Sequence, residues 1–318
     1  MIVLKVLQII SPIFILIFVG FLCRWRGLIK TDSGKDLNKF IFYVSLPALL
    51  FSKISQAEIK IHEQWGGYLA IIMATVLISL IAILFSKFFG LSQYQKWVCA
   101  HGSIRSNMAF IGLPIIFYAS GEKAISVAAL LMGMTVPFYN VIGVIFLTLG
   151  KKREESLHFG DVIKQIMMSI IKNPLIWGCL AGGVLYFLKV NKSNFILKNI
   201  DLIGSISLPL SLICLGIQMN TAITWQRLKQ VFFPTFLKLI LCPLAGLLVL
   251  HLVYEVPDKN LILAVMILLG CPSAVASYVM AVEMKADHEF AADMVLSTTL
   301  LSFLSISAIL IAFQEVLV

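Results

Sequence analysis

Apolar runs of membrane-spanning length, joined by short connections, constrain this chain more than any other feature. A spanning helix needs about 20 predominantly apolar residues, and ten such segments occur, at about 5–23, 37–54, 66–89, 97–119, 124–149, 165–188, 196–219, 231–254, 260–282 and 290–313. Soluble domains carry roughly a quarter charged residues, whereas this 318-residue chain is 13% charged and 60% hydrophobic. A larger core cannot absorb that surplus, so it faces lipid, and the expected fold class is an all-α integral membrane protein. The segment from Val6 to Cys23 exceeds a signal-peptide core in length and lacks an A-x-A site, so it reads as the first span.

The net charge of +9 does not mark a nucleic-acid binder. Lys and Arg are scattered between apolar runs and build no basic face with interleaved aromatics. Loops after the odd-numbered helices, with the adjoining helix ends, hold fourteen of them, against eight in the opposite set. The positive-inside rule then places both termini outside. Arg105, Lys172 and Lys238 fall inside spans and do not enter that count. The six cysteines show no CxxC or Cys/His ligand spacing, so free thiols are expected and neither metal nor cofactor is called for. HExxH, GxSxG and P-loop motifs are absent, which argues against an enzyme and against ATP-driven transport.

The connection opening with Lys151-Lys152-Arg153-Glu154-Glu155 divides the chain into residues 1–150, a linker over 151–164, and residues 165–318. The halves resemble each other. Ser45-Leu46-Pro47 in helix two matches Ser207-Leu208-Pro209 in helix seven, and Gly112-Leu113-Pro114 in helix four matches Gly270-Cys271-Pro272 in helix nine. The offsets, 162 and 158 residues, nearly agree. A repeat with five spans enters the membrane in the opposite sense the second time, the inverted-repeat pattern of secondary transporters.

Pro114 and Pro272 sit within apolar helices. Each is read either as a simple kink or as one of a pair of helix breaks, and their equivalent repeat positions favour the pair. Broken helices expose backbone amides at mid-membrane, where positive half-helix ends attract an anion. Helix four also carries the polar stretch His101-Gly102-Ser103-Ile104-Arg105-Ser106-Asn107. An arginine at a span centre costs about 2.5–3.5 kcal/mol on insertion scales, so Arg105 should face a cavity or a partner. Its fork suits a carboxylate, although it can equally snorkel or pair with an internal carboxylate. Asn107, two turns before Pro114, offers both donor and acceptor capacity. His101 reads as an interfacial histidine or a proton relay. Glu122, Asp201, Glu283, Asp287 and Asp293 are ordinary helix-end carboxylates, any of which can couple protons. Ser273, Ser277 and Tyr278 offer hydroxyls to the opposite wall, a weak signal because such groups usually bond their own backbone.

These residues resemble those of a known family. "RSNMAFIGLP", "LNKFIFYVSLPALLF", "SLPLSLICLGIQM" and "CPSAVASYVMAVEMKADHEFAADMVLSTTLLSFL" are similar to the helix-four, helix-two, helix-seven and C-terminal motifs of the auxin efflux carrier family, across essentially the whole chain. That family includes plant auxin exporters and bacterial permeases assigned to malate, malonate or related acids. The resemblance implies ten helices in two inverted five-helix repeats, with a scaffold domain beside a transport domain and crossing broken helices four and nine at Pro114 and Pro272. It further implies a substrate site at Asn107, elevator-like movement and a homodimer. The chain lacks the plant proteins' long cytoplasmic loop, which points to the bacterial branch and a bacterial cytoplasmic membrane. Arg105 departs from the plant pattern and tilts the expectation from auxin towards a more acidic substrate.

The expected function is secondary transport of a small organic anion, with possible proton or sodium coupling. The expected site comprises Arg105, Ser106, Asn107, Gly112, Pro114, Pro272 and Ser273, with Ser45, Pro47 and Pro209 shaping the facing walls. The alternative is a membrane sensor that binds a ligand and moves nothing.

Overall fold

The computed structural model describes residues 2–57, 61–150, 159–189, 195–218, 225–254 and 258–313. The charged run Lys151–Glu155, and Lys60 and Lys192 of the orientation count, lie outside the described residues. Those residues are helical and hold no strand: α1 (Ile2–Trp25), α2 (Thr31–Phe40), α3 (Leu46–Ser55), α4 (Trp65–Phe85), α5 (Gln95–Ile104), α6 (Leu113–Leu149), α7 (Phe159–Ile171), α8 (Pro174–Phe187), α9 (Phe195–Ser205), α10 (Ser207–Gln218), α11 (Trp225–Phe236), α12 (Cys242–Val253), α13 (Lys259–Gly270), α14 (Val275–Glu283) and α15 (His288–Ala312).

Three single π-helical turns, Ile41–Ser45, Met108–Gly112 and Leu237–Leu241, run directly into α3, α6 and α12. The second residue of each following helix is a proline: Pro47, Pro114 and Pro243. A proline donates no hydrogen bond, and its ring presses on the carbonyl four residues earlier. Widening the preceding turn by one residue relieves that clash. The expectation that Pro114 breaks its helix is therefore corrected: the chain stays helical through Pro114, and the break lies upstream, at Arg105–Asn107.

Among the described residues, six helical runs are long and apolar enough to cross a membrane: Asp36–Ser55, Trp65–Phe89, Met108–Leu149, Phe195–Ile217, Lys229–Val253 and His288–Ala312. The pair Gly160–Ile171 and Pro174–Phe187, bent by 55°, makes up to seven. The ten expected segments exceed that number for physical reasons. Lys259–Gly270 is apolar but short. Segment 97–119 is interrupted at Arg105–Asn107, and segment 260–282 at Cys271–Ala274. Met108–Leu149 joins parts of two expected segments; at 42 residues it would extend about 63 Å, twice the hydrocarbon thickness. Gly121 (φ 70°, ψ −154°) breaks its path, a conformation that a residue with a side chain rarely adopts.

The helices are apolar on both sides. In α4, Ala70, Ala74, Ile78 and Ala82 are buried, while Met73, Leu77, Leu80 and Leu84 are exposed on the outer surface, as suits a helix between protein and lipid. Helix α1 packs on α10, and α3 packs on α8 and α9. In a second set, α4 packs on α5 and α12, α6 on α13, and α11 and α14 on α15. A Cβ on Gly178 would stand 2.6 Å from the Pro47 carbonyl oxygen, and one on Gly182 2.8 Å from that of Phe51. Helix α8 therefore lies backbone against backbone on α3, the small-residue packing of membrane helices.

Candidate functional site

Helix α5 ends because Arg105 turns extended, at φ −75° and ψ 96°. Helix α13 ends where Cys271 does the same, at φ −59° and ψ 149°. The two extended segments meet antiparallel at Ser106 and Ser273. Asn107 N donates to Pro272 O at 2.8 Å, and Ala274 N donates to Arg105 O at 2.9 Å. Backbone groups released by one break are thus satisfied by the other.

Side chains complete the junction. Ser273 Oγ donates to Gly102 O at 2.7 Å, and Ser273 N donates to Thr298 Oγ1 at 3.0 Å. The fully buried Lys238 donates from Nζ to Ser106 Oγ at 2.6 Å and to the Leu269 carbonyl.

Beyond the breaks the chain becomes helical again at Met108 and Val275. The first N–H groups of a helix have no intrahelical acceptor, and neither start carries a side-chain cap. Both starts line a cavity of about 150 Å³, together with Phe42, Arg105, Asn107, Tyr139 and Asn173. Arg105 Nη2 donates to Asn140 Oδ1 at 3.0 Å, and Asn140 Nδ2 donates to Ser169 O at 3.2 Å. Arg105 Nη1 is buried and has no hydrogen-bond partner among the described residues. Nor, among those residues, does any carboxylate pair with Arg105. The arrangement places one unpartnered guanidinium nitrogen and two helix starts around the cavity, all of positive character.

A larger cavity, about 620 Å³, lies beside Gln95, Lys285, Asp287, His288, Glu289 and Asp293. Its Lys285, Asp287, Glu289 and Asp293 already have partners, whereas the smaller cavity holds the unsatisfied charge. We therefore take the smaller one as the candidate site.

Of the residues singled out from the sequence, Arg105, Ser106 and Asn107 line this cavity. Pro272 and Ser273 build the pairing beneath it. Gly112 closes the π-turn where a Cβ would come within 3.2 Å of Leu268 and 3.3 Å of Cys271, and Pro114 is buried behind it. Pro47 packs on Gly178. Ser45 is buried, with an unpartnered hydroxyl among the described residues. Pro209 lies in α10, two residues before Ser211, whose Oγ lies 2.9 Å from Leu208 O and 3.1 Å from Phe110 O, the carbonyl that Pro114 deprives of its helical donor. None of Ser45, Pro47, Pro209, Gly112, Pro114, Pro272 and Ser273 lines the cavity. His101 is buried with Nε2 unpartnered among the described residues. The sequence reading passed over Asn140, Tyr139, Asn173 and Lys238. A signal existed for Lys238, since the insertion cost that singled out Arg105 applies equally to it.

Comparisons with known proteins agree in kind. The family model described as membrane transport protein matches residues 5–310. An uncharacterized transporter of Methanocaldococcus jannaschii is 24% identical over 314 residues, covering 95% of this chain and 96% of its own. A Rhizobium meliloti protein named "Putative malonate transporter" is 22% identical over 312 residues, covering 96% and 95%. Among solved structures, a sodium proton antiporter of Methanocaldococcus jannaschii at pH 8 matches with a TM-score of 0.50 at 13% identity, over 99% of this chain and 95% of that one. At that identity the likeness is one of fold.

Proposed function

Because the chain belongs to the membrane transport protein family, which takes in the auxin efflux carriers its motifs resemble, we propose that it is a secondary carrier of a small organic anion. The observation that carries this reading is Arg105 Nη1, buried and without a hydrogen-bond partner among the described residues, on a cavity that two uncapped helix starts also line. A guanidinium fork binds carboxylate oxygens, and helix starts add N–H donors and partial positive charge. The cavity, about 150 Å³, is well below the roughly 300–1,000 Å³ of drug-sized sites, which suits a compact acid. The Rhizobium relative named for malonate is consistent with a dicarboxylate.

The fuller reading has ten spans in two inverted five-helix repeats, residues 1–150 and 165–318, crossing at spans four and nine. The antiparallel meeting of Ser106 with Ser273 supports it, as do the paired Pro47/Pro209 and Pro114/Pro272 motifs. In this reading α1, α3 and α8–α10 form a scaffold and the remaining spans an elevator-like moving unit. The carrier is a homodimer in a bacterial cytoplasmic membrane with both termini outside, and proton or sodium coupling is open to it.

The test is uptake of radiolabelled malonate, malate and related acids into proteoliposomes, with wild type beside Asn107→Ala. Saturable uptake that the variant loses is expected. Measurable binding of an acid without flux would replace the carrier by the membrane sensor.

A further inference from the structure

Lys238 lies within Lys229–Val253, one of the runs apolar enough to span the membrane, and is 0% exposed. A buried ammonium is costly unless fully hydrogen-bonded or paired. Among the described residues no carboxylate pairs with it. Its partners are instead Ser106 Oγ at 2.6 Å and the Leu269 carbonyl. Those two oxygens belong to the two different breaks. Leu269 lies in the last turn of α13, and the donor that would have continued the helix, Ser273 N, is turned away to Thr298. The last carbonyls of a helix form its negative end.

The ammonium therefore stands where the half-helix is negative, and it reaches the opposite strand of the crossing through Ser106. Elsewhere, discontinuous helices in carriers present unwound carbonyls and half-helix C-terminal ends to a bound sodium or proton. Here a side chain of the protein fills that role. The π-turn Leu237–Leu241 holds Lys238, an irregularity of the kind concentrated at functional sites. Among the described residues, the other titratable side chains around the junction are the thiols of Cys242 on α12 and Cys271 at the break, Arg105 and Tyr139 lining the cavity, and His101, buried near Arg105.

We propose that Lys238 is a resident cation of the crossing: its ammonium neutralises the carbonyl end of α13 and ties it to Ser106, so that the crossing works without a bound sodium ion. Lys238 is thus a positioning residue. It acts on the anion through Ser106 and the backbone it holds, while Arg105 faces the cavity. The flux arm of the test rests on the carrier reading, whereas the thermal arm does not.

Purified protein is melted in equimolar sodium chloride or choline chloride, as wild type, Lys238→Gln and Lys238→Ala, with ethylammonium chloride as a further condition for the alanine variant. Wild type should melt within about 1 °C in both salts, because no sodium ion is bound. Lys238→Gln, which keeps a donor but loses the charge, should melt lower by at least about 2 °C. Lys238→Ala should regain part of its loss in ethylammonium but not in choline, since only the former places an ammonium in the vacated space. A merely space-filling lysine would give no such rescue. In proteoliposomes, wild-type uptake should be equal within about twofold in sodium and choline media. Sodium stabilisation of the wild type, or a sodium requirement for its flux, overturns the proposal; so does a Lys238→Gln variant as stable as wild type. Should neither variant fold, the two-salt comparison on the wild type decides. Absence of flux for every acid, with the thermal results as expected, defeats the anion-carrier reading and leaves the role of Lys238 standing.

Discussion

Arg105 carries the chemistry of the proposed site because half of its guanidinium is already committed. Nη2 is held by Asn140, which is itself anchored to Ser169 O, so Nη1 is presented in a fixed direction. A hydrogen bond to a charged group is worth about 1.5–3 kcal/mol. Arg105→Gln should therefore raise the apparent dissociation constant for the transported acid by about 10- to 100-fold. Arg105→Lys should recover only part of it, since an ammonium lacks the fork. Titration calorimetry with both variants checks this, and equal affinity in all three proteins would remove Arg105 from the site. Ser273 is a different kind of residue, buried beneath the cavity. Ser273→Ala strands the Gly102 carbonyl, at a cost of about 1–3 kcal/mol, so its melting temperature should fall by several degrees; an unchanged melt would show that the bond contributes nothing.

At the scale of elements, the recurrent device is the π-turn followed by proline. Pro114 deprives Phe110 O of its helical donor, and Ser211 Oγ of α10 reaches that oxygen at 3.1 Å while sharing its proton with Leu208 O at 2.9 Å. Ser211→Ala should thus cost about 0.5–1.5 kcal/mol in the native background and little once Pro114→Ala restores the backbone bond. A double-mutant thermal cycle tests this, and additive effects would contradict it. Helix α8 is held against α3 by the absence of side chains. With a Cβ at Gly178 only 2.6 Å from the Pro47 carbonyl oxygen, Gly178→Val should prevent a monodisperse detergent-solubilised protein, as judged by size-exclusion chromatography. Proline was legible in the sequence, but its consequence was not. Read alone, Pro114 suggests a break, whereas one extra residue in the turn absorbs its ring. The real break, at Arg105–Asn107, was marked by a run of polar residues and no proline, and what holds it open is its pairing with residues about 165 positions away.

For the whole molecule, the membrane class and the family were readable from apolar runs and motifs. The number of spans was harder, because interrupted helices and a 42-residue run bent at Gly121 do not correspond one to one with apolar windows. Charges gave a similar lesson. Glu122 and Asp201 looked like ordinary helix-end carboxylates, yet Lys53 Nζ lies 2.8 Å from Glu122 and 3.1 Å from Asp201. No local pattern announces contacts between residues so far apart. Lys238 was visible in the sequence as a charge inside a span, but its role was not, since its partners come from both breaks. The proposed carrier binds an organic anion at this crossing and releases it on the other side. Counterflow tests it most directly: proteoliposomes loaded with unlabelled malonate are diluted into a trace of labelled malonate. Transient accumulation of label above equilibrium, abolished by Arg105→Gln, is the predicted result. Saturable malonate binding with no accumulation from any preloaded acid would contradict it and leave a membrane protein that binds an anion without moving it.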